Sequence, residues 1–97
     1  MKIVYSPLAI ADLRAISAYL KPRSPQGAKR VRAAMLDTVV LLSLFPRAGT
    51  PQTVEGVRKI VTRKYRYLIY YTIDEDADEI LVAAIQHAAQ QREFSDQ

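Results

Sequence analysis

The chain has no cysteine and only one histidine, His87. Without thiols there are no disulfides and no thiolate zinc sites, which fits an ordinary reducing compartment. One imidazole cannot build a multi-histidine cage, and no group of carboxylates has the spacing of a calcium loop, so no metal and no cofactor is expected. Long apolar runs are also missing. The most apolar window, Val39 to Phe45, is far too short to span a bilayer. The start, MKIVYSPLAIADL, is broken by Ser6, Pro7 and Asp12 and does not read as a signal peptide. The expectation is a soluble, cytoplasmic protein.

What is present is enough for one domain over residues 1–97, with 49% hydrophobic content to close a single core. The formal charge is +4 and unevenly spread. Residues 1–56 carry eight Lys/Arg against three Asp/Glu, whereas residues 57–97 carry six against seven. The acidic run Asp74 to Glu79 follows directly on a basic, strand-like segment. Such alternation suits an oriented interaction surface better than a uniformly basic nucleic-acid glove.

Lys2 to Tyr5 reads as a short strand. Ser6 then offers a hydroxyl as N-cap, and Pro7 fits the first helical position, where its missing N–H costs nothing. Ala9, Leu13, Ile16 and Leu20 recur at helical spacing, with Ile10 and Tyr19 widening the stripe and Asp12 and Arg14 directed elsewhere. The helix is expected to end near Lys21-Pro22. Ser24-Pro25 repeats the start signal for a second helix, carrying Ala28, Val31, Met35, Val39 and Leu42, joined by Ala34, Leu41 and Phe45. Pro46 stops it. A joint of about four residues makes the two helices antiparallel neighbours, and Arg14, Lys21, Arg23, Lys29, Arg30 and Arg32 make their outer side basic.

Arg47 to Gly56 is a loop by composition. Strands follow at about Val57 to Thr62 and Tyr67 to Ile73, then a turn at Asp74 to Asp78, then Ile80 to Ile85, apolar on both faces and so interior. The tail from His87 to Gln97 is polar apart from Phe94. The expected fold is α+β, in the order β-α-α-β-β-β, with a helical hairpin on one face of a small, mostly antiparallel sheet and the other face partly open for a partner.

Arg58, Lys59, Arg63, Lys64 and Arg66 place five cations in nine residues, interleaved with Tyr65 and Tyr67. Charge on an edge strand guards against aggregation, but this density points to a partner. Alternation puts Tyr67, Ile69, Tyr71 and Ile73 on one side and Leu68, Tyr70 and Thr72 on the other, so some tyrosines must face the helices. The candidate partner-binding residues are Arg58, Lys59, Arg63, Lys64, Tyr65, Arg66, His87 and Arg92. His87 is the one side chain that titrates near neutral pH, either as an acid/base group or as a structural cap at the end of its strand.

The helix SPLAIADLRAISAYL, a second helix ending in LSLFPRAG, the segment GVRKIVTRKYRYLIYYTI and a strand running into IQHAAQQREF together resemble the ParE/RelE superfamily of type II toxin–antitoxin toxins, over nearly the whole chain. The resemblance implies growth inhibition and a cognate antitoxin as partner, in a possible hetero-oligomer. RelE-like members cut messenger RNA on the ribosome, using strand-borne cations and a terminal tyrosine. ParE-like members share the fold and poison DNA gyrase. The positions matching three RelE-like catalytic residues hold Leu68, Ala88 and Phe94, which favours the ParE-like branch. On the RelE-like alternative, Arg58, Lys59, Arg63, Arg66 and His87 are the catalytic candidates. A third reading is a member that only binds its antitoxin.

Overall fold

The computed structural model describes residues 1–88. Strand β1 (Lys2–Tyr5) leads into helices α1 (Pro7–Arg23) and α2 (Pro25–Leu44), followed by β2 (Thr50–Pro51), β3 (Arg58–Val61), β4 (Tyr67–Asp74) and β5 (Glu79–His87). The strands form one sheet in the order β1-β5-β4-β3-β2, with β1 parallel to β5 and every other pair antiparallel. The expected α+β architecture is present, with one strand more than expected. Thr50–Pro51, expected as loop, pairs with β3 as a two-residue outer strand. Proline is tolerated there because an outer strand has one side free of ladder bonds.

Both helices begin where the local chemistry directs. Ser6 is extended and its Oγ accepts from Ala9 N at 3.0 Å, with Pro7 in the first turn. The same hydroxyl donates to the Ala83 carbonyl at 2.8 Å, so one side chain both starts α1 and ties it to β5. The joint between the helices is shorter than the expected four residues. Ser24 alone serves: its N–H donates to Leu20 O at 2.7 Å to finish α1, and its Oγ accepts from Gly27 N at 2.9 Å to start α2. Pro22 lies inside the last turn of α1 instead of ending it.

The inner stripes pack as their spacing implies. Ala9, Val31 and Met35 are buried against Tyr67, Ile69, Val82 and Ile85, with Leu13, Ile16 and Leu20 half-buried beside them. Leu42 is buried with Tyr71 and Ile80. The widening residues behave differently. Ile10, Tyr19, Leu41 and Phe45 stay exposed, because a stripe wider than the sheet contact has nothing left to cover it. Arg23 stacks its guanidinium 3.9 Å from the Tyr19 ring centroid and donates to Tyr19 O at 2.7 Å, closing the end of α1.

Strand β4 keeps the expected alternation, and the set that faces the helices is Tyr67, Ile69 and Tyr71. In β5 one extra residue, Ala83, separates the partners of Tyr70 (Ala84) and Tyr71 (Val82). This bulge lets β5 present Ile85 and Val82 to the same core despite their odd separation. The opposite face is less open than expected. Tyr70 is fully buried there with Val57 and Ala84, and Leu68 packs on them. Lys59, Val61 and Leu81 remain accessible around this small second core. Among the described residues, no helix is long and apolar enough to cross a membrane.

Candidate functional site

The basic segment folds into two different places. Residues 63–66 form the tip of the β3–β4 hairpin, closed by Thr62 N donating to Tyr67 O at 2.9 Å. Thr62 is buried and braces the tip from inside: its Oγ1 donates to Lys64 O at 2.6 Å and accepts from Tyr67 N at 3.0 Å. Arg63, Lys64, Tyr65 and Arg66 are all exposed. Tyr65 and Arg66 both hold left-handed backbone angles, with φ of 68° and 53°. Residues with a Cβ adopt that region at a cost, about 1–2 kcal/mol each. Two in succession, neither of them a glycine or asparagine, make a turn under local backbone strain.

Arg58 is used differently. It pairs with Tyr71 and so lies on the helix-side face, where its guanidinium donates to Gly49 O at 2.7 Å and Arg47 O at 3.3 Å. It ties the α2–β2 connection to the sheet. Tyr71 completes this anchor, accepting from Gly49 N at 2.9 Å and donating to Pro46 O at 2.7 Å. Burial raises the Tyr71 phenol above its ordinary value, an effect eased by the Gly49 N–H and the Arg58 charge. Lys59 pairs with Tyr70 and sits on the opposite face.

His87 pairs with Tyr67 at the end of β5, and the two rings meet edge to face at 5.2 Å. Next to it, Ala88 N donates to Arg66 O at 3.0 Å, which brings the hairpin tip beside the end of β5. Arg92 and Phe94 lie outside the described residues. The structure therefore groups Arg63, Lys64, Tyr65, Arg66 and His87 at one end of the sheet and leaves Arg58 and Lys59 apart from them, on opposite faces. The partners of Arg58 and His87 on β4 are four residues apart, roughly 13 Å along the strand. Among the described residues, no group of three His, Cys, Asp or Glu is placed to hold a metal.

A second feature comes from the helices. Between α1 and α2 runs a groove of about 810 Å³ with Ile69, Ile85 and Tyr5 at its base and Leu13, Ile16, Leu20, Val31, Met35 and Val39 along its walls. Arg14, Lys21, Lys29 and Arg32 stand around it. Burial raises the Tyr5 phenol, and that of Tyr67 rises through burial and then repulsion from Tyr19. An apolar trough edged by cations suits an amphipathic chain segment whose outer side is acidic. The basic helical face is legible from sequence. The trough beneath it is not, because its shape depends on how the two helices seat together over Ile69 and Ile85 of the sheet.

A ParE toxin described as ParE toxin of type II toxin–antitoxin system, parDE, matches as a family over residues 3–92. Y4kP of Sinorhizobium fredii, a protein provisionally named a toxin, is 30% identical over 93% of this chain and 91% of its own. Among solved structures, the chromosomal ParDE system of P. aeruginosa superposes with a TM-score of 0.75 at 23% identity, covering 90% of this chain and 95% of that one. The intact E. coli RelBE toxin–antitoxin complex follows with a TM-score of 0.63 at 14% identity, over 92% and 98%. With the family matched almost end to end, this chain belongs to the ParE toxins of type II toxin–antitoxin systems.

Proposed function

We propose that this toxin arrests growth in the cytoplasm by binding DNA gyrase and trapping it, without breaking bonds itself, and that a cognate antitoxin silences it. The observation that supports this reading is that Arg58 and Lys59 lie on opposite faces and apart from Arg63, Arg66 and His87, so the five candidate groups do not converge on one point. An RNA-cutting centre needs an acid, a base and cations converging on one phosphate. Here Arg58 is held by backbone carbonyls on one face and Lys59 lies on the other, while Arg63, Lys64, Tyr65 and Arg66 project from a braced tip. Projection of that kind serves recognition. The antitoxin partner has its own match: an amphipathic segment with acidic outer residues would place apolar side chains in the α1–α2 groove and meet the Arg14, Lys21, Lys29 and Arg32 charges around it.

The test is a supercoiling and cleavage assay with purified gyrase and plasmid. The toxin should raise the yield of protein-linked linear DNA and leave ribosome-bound message intact, and added antitoxin should abolish the effect. One observation favours a second reading, message cleavage on the ribosome, because Arg66 and His87 are brought side by side through the Ala88 N–H. Message cut at the decoding site, and spared by His87→Ala or Arg66→Ala, would replace the gyrase reading with this one.

A further inference from the structure

The β3–β4 hairpin tip collects charge of one sign. Arg63, Lys64 and Arg66 stand beside Tyr65 on successive exposed residues, and among the described residues none of the three cations has a carboxylate within salt-bridge reach. The backbone adds donors of its own. The carbonyls of Lys64 and Arg66 are taken up by the Thr62 hydroxyl and the Ala88 N–H. The N–H groups of residues 63–66 donate to no backbone carbonyl among the described residues. Successive free N–H groups beside cations make an anion-binding surface. Thr62, buried and bonded on both sides of the turn, holds these donors in place before any anion arrives.

The rest of the strand orients what can approach. Tyr67 and Asp74, at the two ends of β4, are seven positions apart, roughly 23 Å. The far end carries Asp74, Glu75, Asp76 and Asp78, all exposed, and of these Glu75 is paired, to Arg47. A long polyanion is thus drawn to the tip and repelled from the opposite turn. A short acidic protein segment gains more in the α1–α2 groove, whose apolar walls the tip lacks. A nucleic-acid backbone needs no such walls, because cations, hydroxyls and N–H groups are what bind phosphates.

We propose, resting on the gyrase reading, that this tip is a DNA-backbone contact, which grips phosphates of the duplex on which the enzyme acts. Arg63, Lys64 and Arg66 pair with phosphate oxygens, and the Tyr65 hydroxyl donates to one beside them. The toxin then touches the DNA as well as the enzyme. Phosphate contacts carry no sequence information, so the tip takes any duplex that the enzyme holds.

Titration of the full chain into a short labelled duplex of mixed sequence, followed by fluorescence anisotropy with no gyrase present, tests the inference. Three phosphate contacts give a slope of log affinity against log salt of roughly −2.7, which is about fortyfold weaker binding at about 200 mM salt than at about 50 mM. Arg63→Gln, Lys64→Gln and Arg66→Gln should each reduce that slope by about 0.9. Arg30→Gln, which removes the same charge from an exposed site on α2, should leave it unchanged. Circular dichroism confirms that each variant is folded. A slope that falls as much in Arg30→Gln as in the tip variants means diffuse attraction to a basic protein and overturns the inference. Polyglutamate bound as tightly as the duplex, or duplex RNA bound more tightly, overturns it too. The two readings fail separately. Tip variants that keep the wild-type slope sink the DNA contact even where the toxin traps gyrase, whereas a toxin that holds DNA by its tip yet never traps gyrase loses the gyrase reading and keeps the DNA site.

Discussion

The backbone N–H of Ile85 in β5 donates to the carboxylate of Asp12 in α1, at 2.9 Å and across 73 positions of sequence. The bulge at Ala83 takes backbone groups of β5 out of the regular ladder. Ser6 Oγ serves the Ala83 carbonyl at the bulge and Asp12 serves the Ile85 N–H where β5 runs on past the end of β1, so α1 is attached to the sheet at two successive points of β5. Asp12→Ala should lower stability by about 1–3 kcal/mol, the cost of an unsatisfied half-buried donor. Asp12→Asn keeps an acceptor oxygen and should lose about half as much or less. Urea denaturation of the two variants, compared at equal m-value, checks the difference.

Tyr71 and Gly49 form a second long-range anchor, with the phenol oxygen between Gly49 N–H and Pro46 O. A Cβ on Gly49 would stand 2.6 Å from that oxygen and 2.8 Å from Lys59 O, closer than atoms can pack. Gly49→Ala should therefore displace the connection between α2 and β2, and Tyr71→Phe should cost about 1–3 kcal/mol by leaving the Gly49 donor unpaired. The informative comparison is the double variant. If Gly49→Ala acts by expelling the hydroxyl, its cost in thermal unfolding should shrink on a Tyr71→Phe background.

The features legible in the sequence are those decided within a few residues. Ser6-Pro7 and Ser24-Pro25 announce their helices because capping is local, and β4 shows which tyrosines share a face because alternation is a property of one strand, although which face turns inward is set by the packing. The features that were hidden depend on partners far along the chain. Asp12 looks like a solvent-facing residue until β5, running on past the end of β1 at Val82, offers it the Ile85 N–H. Arg58 looks like a member of the basic cluster until Gly49 and Arg47 offer their carbonyls. Thr50–Pro51 is too short to carry a pattern, and the single-residue joint at Ser24 is masked by Pro22, which reads as a stop. At the site, the exposed tip from Arg63 to Arg66 was visible as charge, whereas its left-handed backbone was not, since neither Tyr65 nor Arg66 favours that conformation.

Alkaline pH should destabilise the fold through its buried phenols. Burial raises Tyr5, Tyr67 and Tyr71 above the ordinary tyrosine value. Their contribution is fully present below the unfolded value of about 10 and is lost as pH rises through the raised folded values, because the unfolded chain gives up its protons first. The urea midpoint should thus fall as pH climbs above about 10. In Tyr71→Phe the midpoint starts lower but declines less steeply, which separates the titration from general alkaline damage.

The hairpin tip offers the sharpest link between strain and activity. Tyr65 and Arg66 sit at φ values that glycine adopts freely, so Tyr65→Gly should relieve about 1–2 kcal/mol of backbone strain. The entropy glycine adds to the unfolded chain offsets about 0.5–1 kcal/mol of that gain. The net expectation is a small rise in stability or none, in contrast to the losses at Asp12 and Tyr71. If the tip exists to hold its side chains toward the target, the same substitution should reduce growth inhibition at least about tenfold, as loss of a central aromatic contact does. Arg66→Gly should do likewise. Thermal unfolding and a titratable induction assay, run on the same variants with antitoxin capture as a folding control, give both readouts. A tip variant that is destabilised yet fully toxic would mean the left-handed pair serves the fold and not the target.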